Sequence, residues 1–422
     1  MSLHIWYIHS SAGGPGLGIY HRPYHLARAW EQQGHTSTIY TASFHHLLEA
    51  QVVPAPELQI EGVRYVTIPS RNYTGNGLGR ILNMWDFSSR LYGAGQKYGK
   101  NEIKPDALIV SSPHPFSIFA GRALSRRYSA KLIFEFRDIW PLSLTEILGI
   151  SSFHPFVQMC AYTERFALAE ADLIASALPR ADHYLSERGF GHKPFVWVPN
   201  GLEIASTHSS SIESDAGRAA AAKVAQWKAQ GKVIIIYTGS IGTPNGIDLL
   251  LEALRYGKTI GESDRCATLI VGKGEKLEEL HQFSAREQLP NVHFSGRIPK
   301  SDAIALLKGA DIGYAGLKNI EALFGYGISP NKIADYFSAS LPVLLPIAPC
   351  GDPVSESGGG IARGAGTPDV VWGALQELVR LSPQERRALG ARGKAYMIQE
   401  YDYNNIAGRY IDAINQLPSV ID

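Results

Sequence analysis

Gly327-Ile328-Ser329-Pro330-Asn331-Lys332-Ile333-Ala334-Asp335-Tyr336, with the apolar run Pro342 to Pro346 close behind it, is the stretch on which the reading of this chain turns. Ser329 suits an N-cap and Pro330 the first helical turn, so a helix is predicted to open here and to feed a buried strand. The first backbone N–H groups of such a helix have no partner inside it, and with the helix dipole they attract anions. Lys332 adds a full positive charge at that end. Asp335 follows Lys332 by three positions and Asn331 by four, which sets the three side chains on neighbouring parts of one helix face. Phosphate on the N–H groups and sugar hydroxyls on Asp335 would together describe a nucleoside-diphosphate ligand. A well-capped helix that binds nothing accounts for these residues equally well.

Working back from this stretch, apolar runs alternate with helical patterns. Val233 to Tyr237, Ala267 to Val271, Val292 to Ser295 and Asp311 to Tyr314 read as strands, separated by helices near 247–256, after Gly274 and after Pro299. An earlier series has strands at 4–8, 36–41, 107–111, 131–136 and 173–175, with helices from Tyr20 to Gln33 and from Phe116 to Tyr128. Such alternation predicts buried parallel sheets. Between the two series the composition changes, from Val196-Trp-Val-Pro-Asn-Gly201 to a serine-rich stretch at 206–214 and an alanine-rich helix at 216–229. The expected division is an N-terminal domain over 1–202, a second domain over 203–400, and a terminal helix over 401–422 that covers the sheet or crosses back to the first domain. Gly351 to Gly360 is expected as a flexible loop. Residues 70–100 read as an amphipathic core helix, with a membrane-surface or acceptor-facing element as the other reading.

The chain of 422 residues has a 45% hydrophobic and 19% charged composition, which is that of a globular protein too long for one ordinary core. Forty basic against 39 acidic residues leave no global field to recruit nucleic acid. Cys160, Cys266 and Cys350 are far apart and outside any C-x-x-C spacing, which points to a reducing compartment and to neither a disulfide framework nor a structural metal. The first residues read as a strand rather than a cleaved leader, and no apolar run is long enough to span a bilayer. The expected location is therefore cytoplasmic, compatible with peripheral association at the inner face of the membrane.

Open parallel sheets bind ligands beyond the carboxyl ends of their strands. Four loops there stand out: Ala12 to Gly18, Gly239-Ser240-Ile241-Gly242, Gly272-Lys273-Gly274, and the end of Phe134-Glu135-Phe136-Arg137-Asp138-Ile139-Trp140-Pro141. The glycine loops read equally well as plain turns. In the last segment, charges at the end of a buried strand must pair or meet a ligand, so a Glu135–Arg137–Asp138 network is the structural alternative to a site. His114 is a minor cleft candidate. No Walker A, G-x-S-x-G or H-E-x-x-H motif occurs.

Taken in order, the glycine loop, Phe-Arg-Asp-Ile-Trp-Pro, Val-Pro-Asn-Gly, Tyr-Thr-Gly-Ser-Ile-Gly, Leu-Ile-Val-Gly-Lys-Gly, Phe-Ser-Gly-Arg-Ile-Pro-Lys and Ser-Pro-Asn-Lys-Ile-Ala-Asp-Tyr resemble the retaining GT-B glycosyltransferases of family 4, in particular the bacterial O-antigen and capsule branch that includes fucosamine transferases. The resemblance implies an α/β GT-B fold: two Rossmann-like, doubly wound parallel-sheet domains facing a central cleft. It also implies a nucleotide-sugar donor, UDP-sugar favoured, held mainly by the second domain. A glycan or lipid-linked acceptor would be held by the first, and no metal or cofactor is implied.

Residue by residue, Gly13, Gly14 and Arg22 match positions near the donor diphosphate. Arg137 and Asp138 match the strand-end pair facing the sugar, with Asp138 orienting the acceptor or stabilising the oxocarbenium-like sugar. Gly239, Ser240, Gly272, Lys273 and Arg297 match loops beside the nucleotide, while Ser329, Asn331 and Lys332 match the diphosphate grip and Asp335 the ribose contact. Lys332 would also act in catalysis, stabilising the leaving diphosphate. The sequence departs from the family where the first of two motif glutamates should stand, which here is Gly327; Glu321 or the backbone of Tyr326 to Ser329 would have to replace it. A nucleotide-sugar 2-epimerase and a non-catalytic nucleotide-sugar-binding scaffold remain as alternatives.

Overall fold

Short runs of Val, Ile and Leu bounded by glycine and polar turns form strands buried on both faces, the pattern that parallel pairing demands. The computed structural model describes residues 2–418 except 50, 51, 76, 101–103, 113, 203–210, 290, 319, 321–323, 330 and 365. Pro330, Glu321 and most of the serine-rich stretch therefore lie outside the described residues. Two units are distinguished, Met1–Gly201 with Asp402–Asp422 and Leu202–Tyr401.

In the first unit the strands are β1 (His4–Ile8), β2 (Thr36–Ala42), β3 (Glu57–Ile60), β4 (Val63–Ile68), β5 (Ala107–Ser112), β6 (Lys131–Phe136), β7 (Leu173–Ser176) and β8 (Phe195–Trp197). They lie in the order β3-β4-β2-β1-β5-β6-β7-β8. Every pair is parallel except β3–β4, an antiparallel hairpin turned by Glu61 and Gly62, both at positive φ. The sequence reading did not anticipate this hairpin, because Glu-Gly is a weak turn signal and half-exposed β3 shows only a short alternation. The helices are α1 (Arg22–Gln32), α2 (Leu78–Lys100), α3 (Ile118–Tyr128), α4 (Pro155–Glu170) and α5 (Ala181–Glu187). On α2, Phe87 and Leu91 are buried while Leu82 and Trp85 are exposed, so the helix does serve the core but presents apolar side chains outward as well. After β6 the chain makes a helical turn, Trp140–Leu142, that continues as a π-helix over Ser143–Ile147, an uncommon geometry that recurs at functional sites.

The second unit holds β9 (Val233–Thr238), β10 (Cys266–Val271), β11 (Val292–Gly296), β12 (Ile312–Tyr314), β13 (Val343–Leu345) and β14 (Gly360–Ala362), paired in parallel in the order β11-β10-β9-β12-β13-β14. Its helices are α6 (Asp215–Ala229), α7 (Ile247–Thr259), α8 (Leu277–Arg286), α9 (Lys300–Leu307), α10 (Asn331–Ser338), α11 (Pro353–Ser357), α12 (Pro368–Arg380) and α13 (Pro383–Tyr401). The expected loop at Gly351 to Gly360 is instead largely structured. The Asp352 carboxylate accepts from the N–H groups of Val354 and Ser355 and so starts α11, and Gly360 opens β14.

The last helix, α14 (Tyr403–Gln416), belongs to the first unit. Ile406, Ala407, Tyr410 and Ile414 join the core that contains Tyr7, Leu26 and Trp30. Strand order reverses at β1, flanked by β2 and β5, and at β9, flanked by β10 and β12. The carboxyl ends of these strands are the two places where the topology opens a crevice.

Candidate functional site

In the second unit, three loops beyond the strands are tied edge to edge. The Gly239 N–H donates to Val271 O (3.0 Å), the Gly272 N–H to Gly296 O (2.9 Å) and the Ile241 N–H to Lys273 O (2.9 Å). Glycine is required at 272, where φ is +153° and an added Cβ would lie 1.8 Å from Gly239 O. Across from these loops stands α10. Ile333, Ala334 and Phe337 bury one of its faces, and the Tyr336 hydroxyl accepts from the Thr238 N–H (2.9 Å) while donating to Tyr314 O (3.2 Å). The helix is thereby locked, through Tyr336 in its second turn, onto the ends of β9 and β12.

Lys332 is held at the centre of this arrangement. Its Nζ donates to Asn245 Oδ1 (2.9 Å), the Tyr237 hydroxyl (3.2 Å) and Gly316 O (3.3 Å), and lies 4.6 Å from the centre of the Tyr237 ring. All three acceptors are neutral, and no carboxylate pairs with it among the described residues. Burial draws its amine down to about 8. An added Cβ on Gly239 would come within 3.9 Å of Lys332 Cε, so the first glycine loop and the lysine are neighbours. Ser240, whose carbonyl accepts from the Tyr237 hydroxyl (2.6 Å), is exposed on that loop. Lys273, Arg297 and Asn331 are exposed and Ser329 is half-buried. Asp335 is half-buried, with burial pushing its carboxyl up against the opposing pull of Lys300. Gly327 is buried with φ at +96°, a conformation that a glutamate would adopt only under strain, so the missing carboxylate is built into the backbone there.

In the first unit a cavity of about 490 Å³ opens beyond β1, β5 and β6, lined among others by His9, Tyr20, Arg80, Arg137, Asp138 and Trp140. Its polar floor is a stack. Arg137 lies over Tyr20 at 4.6 Å, and Tyr20 stacks on His9 at 4.7 Å. Arg137 Nη2 donates to Asn200 Oδ1 (2.9 Å), and the Arg137 N–H donates to the Ser112 hydroxyl (3.3 Å). The Ser11 N–H donates to His9 Nδ1 (3.1 Å). Burial, reinforced by the Arg137 charge, holds that imidazole neutral, which leaves the proton on Nε2 and makes His9 a donor rather than a base. Asp138 is exposed, the one carboxylate among the lining residues.

Several expectations need correction. Arg22 is not available to a donor. It is 3% exposed and its guanidinium is spent on Glu135 (2.7 Å), Val198 O (2.8 Å) and Pro199 O. Burial alone would raise the Glu135 carboxyl, but the Arg22 charge and the Tyr7 hydroxyl (2.7 Å) hold it below the usual carboxylate range. No Glu135–Arg137–Asp138 network forms, because Glu135 points into the core while Arg137 and Asp138 turn to the cavity. Gly13 and Gly14 are buried, and their N–H groups are consumed by Tyr20 O (2.9 Å) and Gly18 O (3.2 Å), so the loop closes on itself instead of offering a phosphate cradle. His114 is buried between Phe87 and Phe116 and is not among the cavity's lining residues. Sequence reasoning overlooked His9 and Tyr20, which carry no motif signal, and also Tyr237 and Asn200, for which the Tyr-Thr-Gly-Ser-Ile-Gly and Val-Pro-Asn-Gly contexts were the available hints. Among the described residues no cluster of His, Cys, Asp or Glu fits a metal, and no helix is long and apolar enough to cross a membrane.

Residues 18–201 match the family model described as a glycosyl transferase 4-like domain, and residues 232–371 match that of glycosyl transferases group 1. A probable glycosyltransferase, WbjE of Pseudomonas aeruginosa, is 25% identical over 140 residues; the alignment spans 33% of this chain and 31% of that protein. Solved structures share the fold across nearly the whole chain. A sucrose-phosphate synthase from Thermosynechococcus elongatus superposes with a TM-score of 0.68 at 14% identity, covering 98% of this chain and 99% of that one. Anabaena HepE in complex with UDP-glucose gives 0.63 at 14%, covering 98% and 100%. WaaG, a glycosyltransferase involved in lipopolysaccharide biosynthesis, gives 0.61 at 15%, covering 98% and 100%. The fold is GT-B, with two parallel-sheet α/β domains.

Proposed function

With a glycosyl transferase 4-like domain followed by a group 1 domain, the chain belongs to the glycosyltransferases, and we propose that it transfers a sugar from a nucleoside-diphosphate sugar, UDP-sugar favoured, to a glycan or lipid-linked acceptor with retention of configuration, in the assembly of a cell-surface glycan. The observation that carries this reading is Lys332, a half-buried ammonium at a helix start with three neutral acceptors and no counter-ion among the described residues. Such a charge is costly until an anion arrives. A diphosphate supplies it, and the favoured uridine nucleotide is that held by HepE.

As the bond from the sugar to the diphosphate breaks, negative charge grows on the leaving oxygen. Lys332, already placed, and the N–H groups at the start of α10 would stabilise that charge without reorganising. Asp335, one turn along the helix, would take the ribose hydroxyls. Asp138 would orient the acceptor hydroxyl or stabilise the electron-poor sugar carbon, with Arg137 beside it. His9, protonated on Nε2, would donate to an acceptor oxygen and leave the hydroxyl proton to the departing diphosphate, as front-face retention requires.

The test is incubation with a panel of nucleotide sugars. Acceptor-dependent release of free nucleoside diphosphate, with the anomeric configuration kept in the product, is the expected result. An altered sugar on an intact nucleotide would replace this reading with epimerisation, and binding without turnover would replace it with a scaffold role.

A further inference from the structure

The Lys332 ammonium has three N–H groups, and each is taken by an oxygen: Asn245 Oδ1 at 2.9 Å, the Tyr237 hydroxyl at 3.2 Å and Gly316 O at 3.3 Å. Tyr237 lies in β9, Asn245 in the loop after it and Gly316 in the loop after β12. The two loops interlock, since a Cβ at Gly316 would run into Asn245 O. The backbone around Asn245 is held without help from its side chain. Its N–H donates to Gly242 O (3.0 Å), the Lys318 N–H to Pro244 O (2.9 Å) and the Tyr314 hydroxyl to Gly246 O (2.9 Å). The Asn245 side chain makes one hydrogen bond among the described residues, the one to Lys332.

The other two acceptors have their character fixed. Gly316 offers a carbonyl. The Tyr237 hydroxyl is committed as a donor to Ser240 O (2.6 Å), and burial pushes this phenol well above its usual range, so it stays neutral. Among the described residues no carboxylate faces the ammonium from either loop, and Asp335, on α10 itself, answers to the Lys300 charge. Position 245 is thus where a side chain free of other duties decides whether the lysine is met by a dipole or by a charge.

We propose that Asn245 is a positioning residue for the transfer: its amide oxygen fixes the Lys332 ammonium and, being neutral, leaves the positive charge for the donor diphosphate. A carboxylate of the same shape would bond Nζ as well but would neutralise it and repel the donor. A phosphate oxygen can reach Nζ only by displacing one of the three acceptors, of which Gly316 O is the farthest and Asn245 Oδ1 the nearest. Asn245 therefore keeps the amine in place during the exchange. The inference rests on the transferase reading and adds to it the residue that keeps the lysine available.

Calorimetric titration of UDP from pH 6 to pH 9, into the natural full chain, Asn245→Asp and Asn245→Ala, tests it, with thermal melts of the free proteins alongside. Asn245→Asp should melt at a higher temperature than the natural protein, because it supplies the missing counter-ion. It should nevertheless bind UDP about tenfold more weakly or worse at pH 7, with no fall in affinity up to pH 9, since the carboxylate holds the amine charged. Asn245→Ala should weaken binding about fivefold or more and move the fall in affinity to lower pH, because the ammonium loses its nearest acceptor. A side chain that merely supported the loop would weaken binding without moving the pH at which it falls. An affinity in either variant within about twofold of the natural protein's, a pH profile that either variant leaves unmoved, or a lower melting temperature for Asn245→Asp would overturn the proposal. If the natural protein fails to bind UDP, the donor reading itself falls; if it binds and the variants do not respond, this proposal falls alone.

Discussion

At the scale of single residues, two cations sit in opposite settings, Lys332 half-buried and Arg22 buried. Lys332 is uncompensated and Arg22 is compensated. Because burial lowers the Lys332 amine from 10.5 to about 8, the folded state holds its proton less tightly than the unfolded chain. The penalty is fully present below pH 8 and is relieved as pH rises from about 8 towards 10.5. Lys332→Met should therefore raise the melting temperature of the free protein while cutting turnover by about 100-fold or more, the size seen when one transition-state donor is removed; thermal melts and a nucleotide-release assay check the pair of effects. Arg22→Met should do the opposite to stability, costing about 3–5 kcal/mol by stranding the Glu135 charge in the core. Adding Glu135→Leu should recover most of that loss, as measured by urea denaturation. The sequence singled out both residues, and for Arg22 the structure contradicts the role that was read. A basic residue at a helix start reads alike whether it faces a ligand or a buried glutamate more than a hundred positions away, since that partner is set by β1–β5–β6 pairing and not by local spacing.

At the scale of elements, the strands and helices were legible where apolar runs were continuous and bounded by glycine or proline. β1, β6, β9 and β10 fall within a residue of where the pattern placed them. Most of the misses share one cause. β3, α11 and β14 are edge or short elements whose stability comes from pairing and capping, which periodicity does not record. The glycine loop at 12–18, which reads equally well as a plain turn, closes on itself: an added Cβ on Gly13 would meet Gly18 and one on Gly14 the Tyr65 hydroxyl, and both N–H groups are already spent on carbonyls of the loop. The helix α14 gives a direct test of an element's worth. Its apolar face fills the core around Trp30, whose Nε1 donates to Ala407 O (3.3 Å). Truncation before Asp402 should strip that face, so the first unit should melt at markedly lower temperature in calorimetry while the second unit's transition stays put.

At the scale of the whole molecule, each unit carries its own doubly wound sheet, its own core and its own strand-end site, so the two can be interrogated separately. The proposed donor grip lies in the second unit. UDP should accordingly stabilise the second unit's transition and leave the first's in place. The central claim is that the Lys332 ammonium takes the donor diphosphate, and calorimetric titration of UDP at pH 7 and pH 9, into the natural protein and Lys332→Met, addresses it most directly. Affinity for the natural protein should fall about tenfold between the two values, as an amine near 8 loses its charge, and binding should take up a proton near pH 8. The variant should bind weakly and without pH dependence. Affinity that is flat from pH 7 to pH 9 in the natural protein, together with unimpaired binding by Lys332→Met, would contradict the account.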